Sequence, residues 1–153
     1  MQEAEVEILL VDGSAEYAGR ALEALRAQNP ATRIFRAGDG EEALDFLFCR
    51  GAHSSRSFQR PPRVVLLRLG LAKVDGLEVL RRVKSDPRTK AIPVVILSGS
   101  NEEADVVGAY RNGANSYVQT PADGGQFREA VSRVGLYWLA INRPPPAPAF
   151  FRS

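Results

Sequence analysis

The residues of this chain that could do chemistry stand at the ends of short apolar runs. Val64-Val65-Leu66-Leu67 reads as a buried strand with Arg68 after it, and Ile8-Leu9-Leu10-Val11 reads as another with Asp12-Gly13-Ser14 after it. Ser98 follows a third run, 93–97. In an open α/β sheet, ligands bind in the crevice beyond the carboxyl ends of the strands, so Asp12, Arg68 and Ser98 are the first candidates. An ionised aspartate only accepts hydrogen bonds, whereas an arginine is a permanent cation with five donors and no acceptor. Arg68 therefore cannot act as a nucleophile or a base. It can pair with a carboxylate, or offer a charge-assisted fork to an oxyanion. Ser98 has no adjacent histidine to activate it and is expected to be a structural hydroxyl. Cys49, inside the apolar run 44–49, reads as a buried small hydrophobe, and His53, in a polar loop, reads as a solvated surface histidine. Asp75-Gly76 before an apolar segment reads as a helix cap. No P-loop, dinucleotide fingerprint, nucleophile elbow or metal-ligand spacing is present.

Alternating elements must position these groups. The periodicity predicts strands at 8–11, 32–36, 64–67, 93–97 and 116–118. Between and after them it predicts helices at 15–28, 41–49 (capped by Asp39), 77–84 (capped by Asp75), 101–111 (capped by Asn101) and 124–142. A loop from about 50 to 62 is longer than most in compact domains. Five strands alternating with five helices predict a parallel sheet covered on both faces. A domain over 1–143 with a proline-rich tail over 144–153 is the expected organisation.

Composition narrows the class. At 153 residues, 44% hydrophobic and 25% charged, the chain fits one ordinary globular domain that needs no disulfide or metal staple. A single cysteine fits a reducing, cytoplasmic setting. No run approaches the ~20 apolar residues that span a bilayer, and residues 1–5 lack an apolar signal core. A net charge of +2 is too small to argue for nucleic acid.

In this order the chain resembles the receiver domain of two-component response regulators, and within it the single-domain group that works with bacterial phytochromes. The likeness is carried by Asp39-Gly40-Glu41-Glu42-Ala43-Leu44-Asp45-Phe46-Leu47, Lys73-Val74-Asp75-Gly76-Leu77-Glu78-Val79-Leu80, Gly113-Ala114-Asn115-Ser116-Tyr117 and Gly135-Leu136-Tyr137-Trp138-Leu139. The resemblance implies a flavodoxin-like (βα)5 doubly wound sheet of strand order 2-1-3-4-5. It also implies phosphoryl transfer to a strand-end aspartate, assisted by magnesium on an acidic pair and by a lysine after the fifth strand. Matched position by position, the acceptor is Arg68, the acidic pair is Asp12 and Gly13, and the lysine is Thr120. Ser98 and the aromatic switch residue Tyr117 keep the expected type. The pocket is thus expected to be degenerate, with no catalytic residue, metal or cofactor, and Arg68 is expected to reach toward Asp12. The function implied is a non-enzymatic signalling module acting through protein contacts, partnered by a sensor kinase or phytochrome-type photoreceptor. Phosphorylation at an unusual residue and sensing of an anion or small ligand are the alternatives.

Two surfaces stand out. No acid lies between Asp45 and Asp75 while Arg50, Arg56, Arg60, Arg63, Arg68 and Lys73 accumulate. A solvated loop is the simplest reading, and a dock for an acidic partner the sharper one. Arg81, Arg82, Lys84, Arg88 and Lys90 are expected on the wet face of the third helix. In the last helix Phe127, Val131, Val134, Trp138 and Ile141 form a sheet-facing stripe, while Leu136, Tyr137 and Leu139 make its end apolar all round. A homodimer through Leu136, Tyr137, Trp138 and Leu139 is the expectation, with Phe150 and Phe151 as possible anchors of an extended tail.

Overall fold

The computed structural model describes residues 5–145. Expectations about Phe150 and Phe151, and most of the proline-rich tail, lie outside them. Five strands, β1 (Ile8–Val11), β2 (Ile34–Ala37), β3 (Val64–Leu67), β4 (Val94–Ser98) and β5 (Ser116–Gln119), pair in parallel in the order β2-β1-β3-β4-β5. The helices between and after them are α1 (Ala15–Gln28), α2 (Gly40–Leu47), α3 (Gly76–Ser85), α4 (Glu103–Arg111) and α5 (Gly124–Leu136). This is the doubly wound flavodoxin-like order that the resemblance to receiver domains implied, and the parallel pairing is the one expected from the alternation.

β1 and β3 are buried on both faces, which is why they read as unbroken apolar runs. Successive side chains point to opposite faces. Leu9, Val11, Val65, Leu67 and Ile96 pack under α2, α3 and α4 with Leu44 and Leu80. Ile8, Leu10, Val64, Leu66 and Leu97 pack under α1 and α5 with Leu25, Phe127 and Val131. Parallel register sets Val11 beside Leu67, so β1 and β3 end side by side. Their next residues are Asp12 and Arg68.

Two glycines let the elements close around that end. A Cβ on Gly76 would sit 2.5 Å from the Arg68 carbonyl oxygen and 2.7 Å from the Leu69 backbone, and one on Gly40 would sit 1.9 Å from the Val74 oxygen. Asp39 caps α2 by accepting from the Glu42 amide, which holds its carboxyl below the usual carboxylate range, with Lys73 3.5 Å away adding to the effect. Asp75 caps α3 by accepting from the Leu77 amide, as expected.

Several local readings need correction. α4 is not capped by Asn101; the Ser100 hydroxyl accepts from the Glu102 amide and donates to the Asp105 carboxylate at 2.6 Å. α5 ends at Leu136 and continues as a π-helical turn, Tyr137–Ile141. That wider turn breaks the 3.6-residue register, so Ile141 leaves the predicted stripe and is 65% exposed. His53 is half-buried, in a short 3-10 turn (Gly51–His53), with its ring edge-on to Phe35 and Phe46 at 5.0 and 5.1 Å. Cys49 is half-buried with a left-handed φ of 54°, because α2 has already ended at Leu47, and burial pushes its thiol up from the ordinary range. Lys84 is not on a wet face: its ammonium donates to the carbonyls of Lys90 and Ile92 and to Asn115 Oδ1, at 3.0, 2.7 and 2.8 Å. Part of the arginine-rich loop is spent on its own packing, with Arg50 paired to Asp45 and the Arg56 guanidinium 3.7 Å above the Phe46 ring.

Candidate functional site at the carboxyl ends of the strands

The Asp12 carboxylate is 6% exposed and has both oxygens engaged: Oδ1 accepts from the Ser14 amide at 2.9 Å, and Oδ2 lies 3.2 Å from Arg68 Nε. The Asp12 carbonyl takes both Nε and Nη2 of Arg36, at 3.1 and 2.8 Å. Arg68 is fixed at its backbone by donating to the Val11 carbonyl at 3.0 Å, and its side chain is 19% exposed. From there the guanidinium spans the crevice. Nη1 reaches the Leu97 carbonyl of β4 at 3.5 Å, and the guanidinium carbon lies 4.6 Å from the centre of the Tyr17 ring. The expected pairing of Arg68 with Asp12 is therefore present. It follows from burial, since an unpaired charge there would cost several kcal/mol.

The remaining candidates line the neighbouring strand ends. Ser98 Oγ accepts from the Ser100 amide at 3.1 Å, and the Ser98 carbonyl accepts from the amide of buried Thr120 at 2.8 Å. Tyr117 is half-buried, and its hydroxyl donates to the Ser100 carbonyl at 2.9 Å, turning the ring onto the β4–α4 loop. Gly13 is exposed, and a Cβ there would meet nothing closer than the Gly38 oxygen at 3.4 Å, so the backbone does not require a glycine. The structure thus brings Asp12, Arg68, Ser98, Tyr117 and Thr120 to one end of the sheet. Sequence reasoning missed Tyr17 and Arg36. Tyr17 enters from the first turn of α1 and Arg36 from β2, and the one usable signal was that both elements end or begin beside Asp12.

The chemistry of this set is limited. The cation at the end of β3 has no lone pair for attack, and the one carboxylate facing it is already in an ion pair. Among the described residues there is no group of three or more histidine, cysteine, aspartate or glutamate side chains placed to hold a metal ion. A divalent ion favours several oxygen ligands, including carboxylates, and a guanidinium 3.2 Å from Asp12 opposes it. The donor set does not fit magnesium. What the arrangement does is tie β1, β3, β4 and α1 together through one side chain.

Residues 8–132 match the response regulator receiver domain family. The chain belongs to that family. Among its relatives, the probable methanogenesis regulatory protein FilR2 of Methanothrix harundinacea is 39% identical over 138 residues, covering 90% of this chain and 86% of that protein. Response regulator Rcp1 of Synechocystis is 31% identical over 140 residues, covering 92% of this chain and 93% of that one. The crystal structure of the phosphorylated cyanobacterial phytochrome response regulator RcpA superposes with a TM-score of 0.85 at 34% identity, over 93% of this chain and 99% of that chain. This receiver is thus a two-component signalling domain by family. No helix among its described residues is long and apolar enough to cross a membrane.

Proposed function

We propose that this receiver signals by contact with other proteins and without an aspartyl-phosphate step. The observation that carries the reading is the Arg68–Asp12 pair, 3.2 Å apart and largely shielded from water at the place where a receiver keeps its acceptor and its metal. The three departures support one another. Once a cation stands at Arg68, a second acid at Gly13 would have no metal to hold, and a lysine at Thr120 would have no phosphoryl group to neutralise. The switch pair Ser98 and Tyr117 is retained, with Tyr117 closed onto Ser100, so the signalling state is held by internal hydrogen bonds. Exposure to acetyl phosphate and magnesium, followed by intact-mass measurement, tests the reading. The mass is expected to stay unchanged, and a stable gain of one phosphoryl group overturns it.

The protein partner fits a sensor kinase or a phytochrome-type photoreceptor, a reading supported by the likeness to RcpA, which is a phytochrome response regulator. A homodimer through the end of α5 completes the proposal. Leu136 and Tyr137 are 43% and 46% exposed there, beside half-buried Trp138 and Leu139, and adjoining apolar side chains of this size are what interfaces cover. Sedimentation at tens of micromolar is expected to give twice the monomer mass, and a monomer at that concentration removes the dimer from the proposal.

A further inference from the structure

We propose that Tyr17 is a positioning residue of the strand-end site: it holds the Arg68 guanidinium on Asp12 and ties that placement to the α1–α5 helix pair. The inference rests on the reading of the crevice given above and adds the element that keeps it closed. Arg68 has a long, flexible side chain whose alternative to the crevice is open water. The contact to Asp12 is through Nε at 3.2 Å, and the contact to the Leu97 carbonyl is at 3.5 Å, the limit of a hydrogen bond. Those two polar contacts do not cover the planar faces of the guanidinium. The guanidinium carbon lies over the Tyr17 ring, 4.6 Å from its centre, and a cation held over an aromatic face gains more as water is excluded.

Tyr17 is itself fixed on three sides. Its amide donates to the Ser14 hydroxyl at 3.2 Å, which seats it in the first turn of α1. Its ring meets the fully buried Phe127 of α5 edge-on at 5.3 Å. Arg20, one turn along α1 and paired with Glu16, lies 5.4 Å from the same ring. Tyr17 thus joins the Arg68 guanidinium to the α1–α5 pair through ring contacts at 4.6 and 5.3 Å. The route runs Asp12–Arg68–Tyr17–Phe127, from the strand ends to a helix pair. Tyr117 is not part of it.

Side-chain nitrogen NMR of the full chain reads this directly, because exchange of the Arg68 Nε proton with water reports whether the guanidinium is held; an Arg68→Lys variant assigns the signal. In Tyr17→Leu, exchange is expected to quicken about tenfold, the loss of a partly desolvated cation–π contact. In Tyr17→Phe, which keeps the ring, it is expected to stay within about twofold of the native value, since the cation–π contact needs the ring and not the hydroxyl. Should Tyr17→Leu not fold, Phe127→Leu keeps an apolar but smaller side chain there, removes the edge contact, and is expected to quicken the same proton by a smaller factor. Native exchange rates in the leucine variants, or a phenylalanine variant as fast as Tyr17→Leu, would overturn the proposal. The measurement involves no phosphoryl donor. A phosphorylated native chain would sink the proposed function and leave this test standing.

Discussion

At the scale of single residues, the informative contrast is between removing one member of the Arg68–Asp12 pair and removing both. Asp12→Ala leaves a shielded guanidinium without its carboxylate and is expected to cost about 3 kcal/mol in denaturant unfolding, the lower end for one-sided removal from a buried pair. Asp12→Ala combined with Arg68→Met removes both charges, and the double variant is expected to recover part of that loss. A double variant less stable than the single one would mean that the pair is not the unit described. The residue scale is also where sequence reading reached its limit. Arg68 and Asp12 could be named because each directly follows an apolar strand, and pairing followed from the cost of a buried charge. Tyr17 and Arg36 could not, because their approach to Asp12 depends on where α1 and β2 sit in three dimensions.

At the scale of elements, close approaches decide which glycines matter. Gly76→Ala would drive a methyl group into the backbone of Arg68 and Leu69, 2.5 and 2.7 Å away, and is expected to cost about 1–3 kcal/mol as an overpacked contact. Gly19, inside α1, has nothing within 4 Å, and Gly19→Ala is expected to stabilise by about 0.5–1 kcal/mol through helix propensity. Thermal melts of the two variants should move in opposite directions. The strands were readable because burial on both faces leaves no polar interruption, as in Val64–Leu67. Helix ends were harder. α4 starts after Glu102 without a side-chain cap, so the asparagine whose type suggested one was misleading, and the π-helical turn after α5 carries no cap residue that marks it. Loop burial was hidden for a similar reason, since nothing in the order of residues 50–62 announces that His53 lies against two phenylalanines.

At the scale of the whole molecule, one half-buried cation sets a pH dependence. Lys84 links the end of α3 to the loops before β4 and β5, and burial pushes its ammonium down to about 8 from the usual 10.5. Below about 8 both folded and unfolded chains are protonated there, and the burial penalty is present in full. As pH rises from about 8 to 10.5 the folded chain sheds this proton first, so Lys84 contributes increasing stability across that window. Urea midpoints corrected with a Lys84→Met variant are expected to show that rise; a fall attributable to Lys84 would contradict it. The parallel sheet could be read from the alternation of elements, and the strand order came with the family likeness carried by segments such as 73–80, whereas oligomeric state depends on a surface whose partner no single chain displays.

The central claim is that a fixed cation has taken the place of the phosphoryl-accepting group, and one side-by-side measurement tests it most directly. The native chain and an Arg68→Asp, Gly13→Asp, Thr120→Lys variant are incubated with acetyl phosphate and magnesium, then weighed intact. Space beside Gly13 and the retained Ser98 and Tyr117 favour recovery of acceptor chemistry in the variant. The native mass is expected to stay unchanged while the variant gains one phosphoryl group. A native chain that gains the group under the same conditions would contradict the account.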